Sequence, residues 1–299
     1  RLRAEFKVFG VRTADLGTIR RKSKMKEKVR EAGIKVASGR VVRTLNEARE
    51  LITETGYPVV AKPDEGVGAL DTFRLDTDDD LVRFFARKPP MDYILEAFVQ
   101  GTIHSFDGLC AADGTVVFRT AHVFTQGIME TVNEARHMAY YSLRAIPPAL
   151  EAAGLRCLQA FRVQERFFHI EFFHTGGENY TALEVNMRPP GGFTTDMFNY
   201  ACDIDIYRAW AELLVLNRTD LQYERRYHCC YASRKHDLPY VHNHEEIMER
   251  YGHELCQVDR VPAVFASALG DLGYIFRTPD LDRIHEIINF IHLISGTEA

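Results

Sequence analysis

With 299 residues, the chain is long enough to bury a large core and to divide into two or three lobes. It is 46% hydrophobic and 26% charged, and its net charge of −5 gives no support for nucleic-acid binding. No apolar run approaches the roughly 20 residues of a membrane span, and the first residues lack the apolar core of a signal peptide. We therefore expect a cytoplasmic globular protein with neither a nucleic-acid nor a membrane partner.

The six cysteines show no spacing typical of a zinc site. We interpret them as small buried hydrophobic residues of a reducing compartment. The adjacent pair Cys229-Cys230 is compatible with redox activity, but a strand over residues 227 to 232 is the better account of it.

The first twenty residues resemble the end of a preceding domain rather than the start of one. A basic helix is predicted over residues 22 to 32, and a strand over residues 34 to 37 follows it. A second helix is predicted from Leu45 to Thr55. Both helices stop at a glycine, a residue type that commonly ends helices.

A short hydrophobic strand from Tyr57 to Pro63 contains one charged residue, Lys62, and leads into a loop with Gly66 and Gly68. A lysine at the end of such a strand is placed to meet a phosphate group while the loop amides cover it. The loop alone is weak evidence, because Gly-x-Gly more often belongs to a hairpin.

The following segment adds to that signal. A helix over residues 77 to 87 leads to a strand over residues 93 to 101 that ends at glycine. Residues 104 to 118 then read as a strand, a turn at Asp113-Gly114 and a returning strand.

Two β-prone runs, residues 167 to 173 and 180 to 186, predict an antiparallel hairpin because Gly176-Gly177 lies between them. Strand side chains alternate between faces, so Glu171 shares a face with His169. Glu184 and Asn186 share a face of the second strand for the same reason.

If the turn centres near Gly177 and Glu178, Glu171 lies opposite Glu184. Facing carboxylates repel each other unless a cation lies between them. With the Asn186 carbonyl they form a set of hard oxygen donors that suits Mg²⁺ or Mn²⁺. The alternative is a solvated sheet face without function, but the run Arg188-Pro-Pro-Gly-Gly that follows favours a phosphate site, since a guanidinium binds phosphoryl oxygens in a bidentate manner.

After residue 216 the signal is weaker. We predict strands over residues 226 to 233, 261 to 268 and 273 to 277 and a helix over residues 280 to 294. His242-x-His244 resembles a metal-binding pair, but it has no further ligand at a useful spacing, so we interpret it as a loop.

From about residue 20 to about residue 215, the order and spacing of these parts resemble the ATP-grasp superfamily, and in particular its carboxylate–amine ligases of the L-amino-acid ligase type. The features that carry the resemblance are the Met25-Lys26 helix ending Ala32-Gly33-Ile34, the Val60-Ala-Lys62-Pro strand, the Gly66-Val-Gly68 loop, the Leu95-Glu96-Ala-Phe-Val99 hinge, and the hairpin with Glu171, Glu184, Asn186 and Arg188.

The resemblance implies an α+β fold in which two α+β lobes clasp ATP, with the usual N-terminal α/β domain largely absent from this chain. It divides the chain into the tail of that domain (1–20), a small lobe with the lysine strand and glycine loop (21–95), a large lobe with the hinge and the metal hairpin (96–215), and a C-terminal α+β subdomain (216–299).

The resemblance also implies an ATP site. Its phosphate-facing lysines would be Lys62 and either Lys22 or Lys24; alignment on Met25-Lys26 favours Lys22, although Arg21 stands where many relatives have Asp. Gly66 and Gly68 would cover the phosphates. Glu96 would begin the adenine hinge, with the backbone groups of Ala97 and Val99 meeting the base. Many relatives hold the ribose with a Glu, where this chain has Ile103-His104. His104 is assigned to the ribose, with an ordinary strand histidine as the alternative.

By the same resemblance, Glu171, Glu184 and Asn186 would bind Mg²⁺ or Mn²⁺, and Arg188 and Lys62 would be the catalytic residues that steady the transferred phosphoryl group. Arg136, Gly191 and Gly192 would contact substrate, and His122 or His137 would assist amine deprotonation. For the residues between 119 and 150, a surface connection is the alternative.

The implied activity is ATP-dependent ligation of a carboxylate to an amine through an acyl phosphate, on amino acids or small amino-containing acids, with ADP and phosphate as the other products. The alternatives are a biotin-carboxylase-like enzyme that activates bicarbonate and a nucleotide-binding module without catalysis. The expected partners are these small molecules, and a homodimer stays open.

Overall fold

The computed structural model of the chain describes residue 5 and residues 15–66, 71–127, 131 and 136–296. The chain forms two compact units, each assembled from separate segments of the sequence. The first unit comprises Arg1–Gly101, Pro148–Val163 and Ile170–Met187. The second comprises Thr102–Pro147, Gln164–His169 and Arg188–Ala299.

Helices and antiparallel strands alternate irregularly along the chain. The helices are α1 (Leu16–Arg20), α2 (Lys22–Glu31), α3 (Leu45–Thr55), α4 (Asp78–Arg87), α5 (Pro148–Phe161), α6 (Thr194–Cys202), α7 (Ile206–Leu216), α8 (His244–Tyr251), α9 (Ala266–Leu269, after a 3₁₀ turn at Ala263–Phe265) and α10 (Leu281–His292). The strands are β1 (Gly39–Val42), β2 (Val59–Pro63), β3 (Phe73–Leu75), β4 (Tyr93–Ala97), β5 (Thr102–Cys110), β6 (Val116–Phe124), β7 (Ala139–Ser142), β8 (Arg166–His174), β9 (Tyr180–Asn186), β10 (His228–Arg234), β11 (Leu255–Arg260) and β12 (Leu272–Thr278).

In the first unit, the described residues form a four-stranded sheet in the order β1-β4-β2-β3, with every pair antiparallel. The helices α3 and α4 each begin with a capping box, in which a threonine side chain and an acidic side chain three residues later satisfy free backbone amides of the first turn. Apolar residues of the sheet pack with those of α3 and α4 into one core, which includes Leu51, Leu81 and Tyr93. This core fixes the central strands β2 and β4.

The helix α2 packs against β9 within the first unit. The Val185 N–H group donates to Met25 Sδ at 3.1 Å, and the Ala182 N–H group donates to the Lys35 carbonyl at 2.8 Å. Met25 and Val185 are both buried. The contact brings the face of α2 that carries Lys22 and Lys26 to the end of β9.

In the second unit, the described strands follow the order β11-β12-β10-β7-β6-β5, again with antiparallel neighbours. Two hydrophobic clusters stabilise this unit. One contains Phe118, Phe198 and Tyr231, and the other contains Tyr274 and Ile287.

Most elements of the first 190 residues form where they are predicted, and α3 has the predicted bounds. Two strand predictions are wrong. At residues 34 to 37 there is only an isolated bridge from Val36 to Ala182. At residues 261 to 268 the chain forms the 3₁₀ turn and α9 instead, because Pro262 has no N–H group for a sheet ladder and the following alanines favour a helix.

The six cysteines agree with their interpretation as small hydrophobic residues. All are free, and all except Cys256 are buried. Burial raises the pKa of Cys110 and Cys157 to about 12, so these thiols stay protonated at neutral pH. No helix among the described residues is long and apolar enough to cross a membrane.

Candidate active site

The start of α2 is held by a carboxylate from a distant part of the chain. The N-cap residue, Arg21, makes no capping hydrogen bond with its side chain. Instead, Asp64 accepts hydrogen bonds from the Ser23 N–H group at 2.8 Å and from the Ser23 hydroxyl at 3.0 Å. A carboxylate at a helix N-terminus satisfies free amides and is favoured by the helix dipole. The segment that follows Lys62 is thereby joined to the first turn of α2.

Arg21 itself has a different partner. Its guanidinium forms an ion pair with Glu65 at 2.6 Å. The carboxylate beside the first turn of α2 is therefore that of Asp64, and residue 21 contributes none.

Five charged side chains of the first unit form what we call the lysine–glutamate cluster: Lys22, Lys26, Lys62, Glu96 and Glu184. Lys26 Nζ lies 2.7 Å from Glu96 Oε1, and Lys62 Nζ lies 3.2 Å from Glu96 Oε2. Lys22 Nζ lies 3.8 Å from Glu184 Oε1. The three lysines and two glutamates leave one positive charge in excess, which favours an anionic ligand.

Glu96 is the most enclosed member of this cluster, with a relative exposure of 1%. Burial alone would raise the pKa of its carboxyl, but Lys62 and Lys26 hold the pKa below the ordinary value. Burial lowers the pKa of Lys26, against the attraction of Glu96. Each oxygen of the Glu96 carboxylate therefore faces one lysine, and the two lysines favour its ionised form.

Lys22 and Lys24 have different surroundings on α2. Lys22 is a largely buried residue, and its ammonium also donates to the Gly66 carbonyl at 3.1 Å. Lys24 is exposed and pairs with Glu27 on the same helix at 2.9 Å. Gly66 thus lies beside Lys22, whereas Gly68 lies outside the described residues.

The hairpin prediction is confirmed, since β8 and β9 are hydrogen-bonded neighbours. The Thr175 N–H group donates to the Asn179 carbonyl at 3.0 Å, and Gly176 and Gly177 adopt the positive φ angles of the turn. Counted back from this pair, a regular ladder would put Glu171 opposite Leu183. The predicted facing of Glu171 and Glu184 therefore requires one β-bulge in the hairpin.

The chemistry of Glu171, Glu184 and Asn186 suits a hard divalent cation, because all three offer oxygen ligands. Glu171 is buried, and Glu184 and Asn186 are partly buried. The Lys22 Nζ–Glu184 Oε1 separation of 3.8 Å is long for an ion pair. No group of three or more His, Cys, Asp or Glu side chains among the described residues is arranged to hold a metal.

The hinge after β4 has part of its backbone already paired. The Ala97 N–H group donates to the Ser38 carbonyl at 2.8 Å, and the Phe98 N–H group donates to the Pro58 carbonyl at 3.0 Å. The Arg74 guanidinium lies over the Phe98 ring at 4.4 Å. A base meeting this hinge would therefore not receive the Ala97 N–H group, and Val99 is the other residue predicted to meet it.

The remaining predicted residues belong to the second unit. His104 is buried on β5, and by alternation it projects from the face opposite Ser105 and Asp107. Arg188 is exposed and donates to the Pro189 carbonyl at 2.9 Å.

Arg136, Gly191 and Gly192 are also exposed. The Gly191 carbonyl accepts a hydrogen bond from the Thr194 hydroxyl at 2.9 Å, and Gly192 has a φ of 62°. Exposure leaves Arg188 and the two glycines accessible to a ligand.

Sequence reasoning missed a buried group around Asp107. This carboxylate accepts hydrogen bonds from His169 Nδ1 at 2.5 Å, from His122 Nδ1 at 2.8 Å and from the Ser105 hydroxyl at 2.5 Å. Burial alone would raise the pKa of Asp107, but His169 and His122 hold it well below its usual range. The members come from three strands, so only the register of the sheet brings them together, and no spacing along the chain signals it.

Comparison with solved structures identifies the fold. The chain has the ATP-grasp fold, as its similarity to solved structures shows, and the fold implied by the resemblance is confirmed. The α+β class is confirmed with it.

Two of the solved structures show how far the similarity extends. An L-amino acid ligase structure from Bacillus licheniformis matches with a TM-score of 0.72 at 13% identity, over 96% of this chain and 74% of that one. A biotin carboxylase–β,γ-ATP complex from Campylobacter jejuni matches with a TM-score of 0.69 at 15% identity, over 94% of this chain and 68% of that one. At these identities the likeness establishes the fold.

In sequence, the chain is similar to the L-arginine-specific L-amino acid ligase of Bacillus subtilis. The two are 26% identical over 203 residues, which make up 62% of this chain and 49% of that protein. The match therefore spans about half the length of this curated relative. No protein-family model matches the chain.

Proposed function

We propose that this protein is an ATP-dependent ligase that joins a carboxylate to an amine, with amino acids or small amino-containing acids as substrates. The observation that carries the proposal is the lysine–glutamate cluster, whose excess positive charge lies at β2, α2 and β9 of a chain with the ATP-grasp fold. The similarity to an L-arginine-specific L-amino acid ligase supports amino acids as the substrate class.

In this proposal Lys22 and Lys62 bind the phosphates of ATP, and the loop that begins at Gly66 covers them. Both lysines retain access to a ligand, since the Lys62 side chain is 16% exposed and the Lys22 side chain is 11% exposed. The hinge that begins at Glu96 holds the adenine through backbone groups of Ala97 and Val99 other than the paired Ala97 N–H group, and His104 holds the ribose.

Glu171, Glu184 and Asn186 would hold Mg²⁺ or Mn²⁺. When bound, such an ion neutralises phosphate charge in the transition state. Arg188, two residues beyond Asn186 in the sequence, supplies a guanidinium for the transferred phosphoryl group. Arg136, Gly191 and Gly192 are the proposed substrate contacts.

The chemistry has two steps. A carboxylate oxygen of the first substrate attacks the γ-phosphorus, the bond to the ADP oxygen breaks, and an acyl phosphate forms. The amine of the second substrate then attacks the acyl carbon, the bond to phosphate breaks, and the amine loses a proton. The products are an amide, ADP and inorganic phosphate. Since an acyl phosphate hydrolyses readily, exclusion of water by the glycine loop is part of the proposal.

The test is phosphate release from MgATP in the presence of pools of amino acids and small carboxylic acids, with mass spectrometry of each positive pool. We expect release that requires two components and a product lighter by one water than their sum. ATP binding without phosphate release in any pool would refute ligation.

A second test addresses the phosphate site. Lys62→Ala should weaken MgATP binding by at least about tenfold, the effect of losing roughly 1.4 kcal/mol of charge interaction. Lys24→Ala is the matched control, because this lysine is exposed and pairs on its own helix. Equal affinities of both variants and the wild type would show that the phosphates bind elsewhere.

A further inference from the structure

Lys26 differs from the other lysines of α2 in its surroundings. It lies four residues after Lys22 and therefore on the same helix face. Its relative exposure is 4%, whereas Lys24 is exposed. A lysine is almost never buried to this extent unless it is paired. The partner of Lys26 is Glu96, at 2.7 Å.

The two oxygens of Glu96 are shared between two lysines of unequal access. Lys26 holds Oε1 through the shorter contact and is almost fully buried. Lys62 approaches Oε2 at 3.2 Å and keeps 16% of its side chain exposed. The inner lysine thus binds the carboxylate more closely, and the outer lysine is the one with access to a ligand.

We propose that Lys26 is a positioning residue for nucleotide binding, which acts by compensating the charge of Glu96 so that the Lys62 ammonium remains available to phosphate. Without Lys26, Glu96 would be a buried carboxylate with Lys62 as its remaining lysine partner in the cluster. A buried, unpaired charge is costly, so Lys62 would be drawn onto it. The cluster would then hold two lysines and two glutamates, and its excess positive charge would be lost.

The inference rests on the proposed ATP site and predicts a suppressor. Lys26→Met should weaken MgATP binding by about tenfold, which corresponds to about 1.4 kcal/mol. Adding Glu96→Gln removes the carboxylate that captures Lys62, so the double variant should bind MgATP more tightly than Lys26→Met alone. Replacing both members of a buried pair by neutral side chains is often tolerated, so the double variant is also expected to fold.

The experiment is calorimetric titration of the full chain with MgATP for the wild type, Lys26→Met, the double variant, Lys26→Arg and Lys24→Met, with circular dichroism of each protein. Lys26→Arg keeps the charge and should bind within about threefold of the wild type, and Lys24→Met should bind like the wild type.

Two results would overturn the inference while leaving the proposed function intact. One is wild-type affinity in Lys26→Met. The other is a double variant that binds no better than Lys26→Met, since that would mean that Lys26 acts through the general stability of α2. Absence of MgATP binding by the wild type would refute the ATP site itself, and this inference with it.

Discussion

The Asp107 group permits a quantitative prediction. Asp107→Asn preserves the shape of the side chain but removes its charge, and it places an amide N–H₂ where one of the present donors needs an acceptor. His122, His169 and Ser105 all donate to this carboxylate, which is fully enclosed. A hydrogen bond to a charged group contributes about 1.5–3 kcal/mol, and Asp107→Asn removes the charge from the acceptor of three such bonds. We expect Asp107→Asn to lower the free energy of unfolding by about 3–5 kcal/mol.

The assay is urea unfolding at pH 7, followed by the fluorescence of Trp210, the single tryptophan of the chain. Asp113→Asn is the matched control, because Asp113 is an exposed turn residue that accepts from the Thr115 N–H group. A loss of less than about 1 kcal/mol for Asp107→Asn would refute the view that Asp107 is an ionised carboxylate that accepts hydrogen bonds from the two imidazoles.

The pH dependence gives an independent check. Because the folded pKa of Asp107 is depressed, its contribution to stability is complete above the unfolded pKa and is lost as the pH falls below it toward the folded pKa. The difference between wild type and Asp107→Asn should therefore shrink below about pH 4.

Three further predictions follow from other contacts. Glu184→Gln should leave circular dichroism unchanged, because the described partner of Glu184 is the long Lys22 contact. It should reduce Mg²⁺-dependent turnover by at least about 100-fold, and near wild-type turnover would mean that Glu184 is not a metal ligand. Gly39→Ala should lower the free energy of unfolding measured in urea by about 2–3 kcal/mol, because the added Cβ would lie 2.4 Å from the Leu95 carbonyl oxygen. Gly17→Ala is the control: the added atom would lie in open space, so this variant should be neutral or stabilising. Burial lowers the pKa of His137 to about 4 and of His292 to about 3. As the pH falls, these histidines are protonated in the unfolded chain before they are protonated in the folded one, so the free energy of unfolding should fall by on the order of 1–3 kcal/mol between pH 6.5 and pH 4. A wild-type melting temperature that does not change over this interval would contradict this prediction.

The sequence predicts the candidate site best where local pattern is sufficient. Lys62 stands out as the charged residue of a hydrophobic strand, and the hairpin with Glu171 and Glu184 is marked by two β-prone runs around Gly176-Gly177. Both features depend on residues close together in the chain. Lys62 lies in β2 and Glu96 lies in β4. The apolar residues of these two strands specify how they pack, and their pairing follows from that packing.

Other features depend on contacts that no local pattern contains. Lys26 is one of four lysines at alternate positions of a basic helix, and only packing distinguishes its surroundings from those of Lys24. The cap of α2 comes from Asp64, 41 residues from Ser23. The strand prediction over residues 261 to 268 is wrong because Pro262 cannot donate to a sheet ladder, an effect that the apolar pattern alone does not contain.

The contact between α2 and β9 also bears on the synthesis of the chain. Val185 follows Met25 by 160 residues, so at a typical rate of about 5–20 residues per second a ribosome needs about 8–32 s to supply the strand that covers the helix. During this interval Lys22 lacks Glu184, and the apolar face around Met25 has no cover from β9. The four-stranded sheet of the first unit is complete once residue 97 has been synthesised, but the unit can complete its fold only after the hairpin has emerged. Until then, the nascent chain exposes a basic amphipathic helix to chaperones and ribosomal RNA.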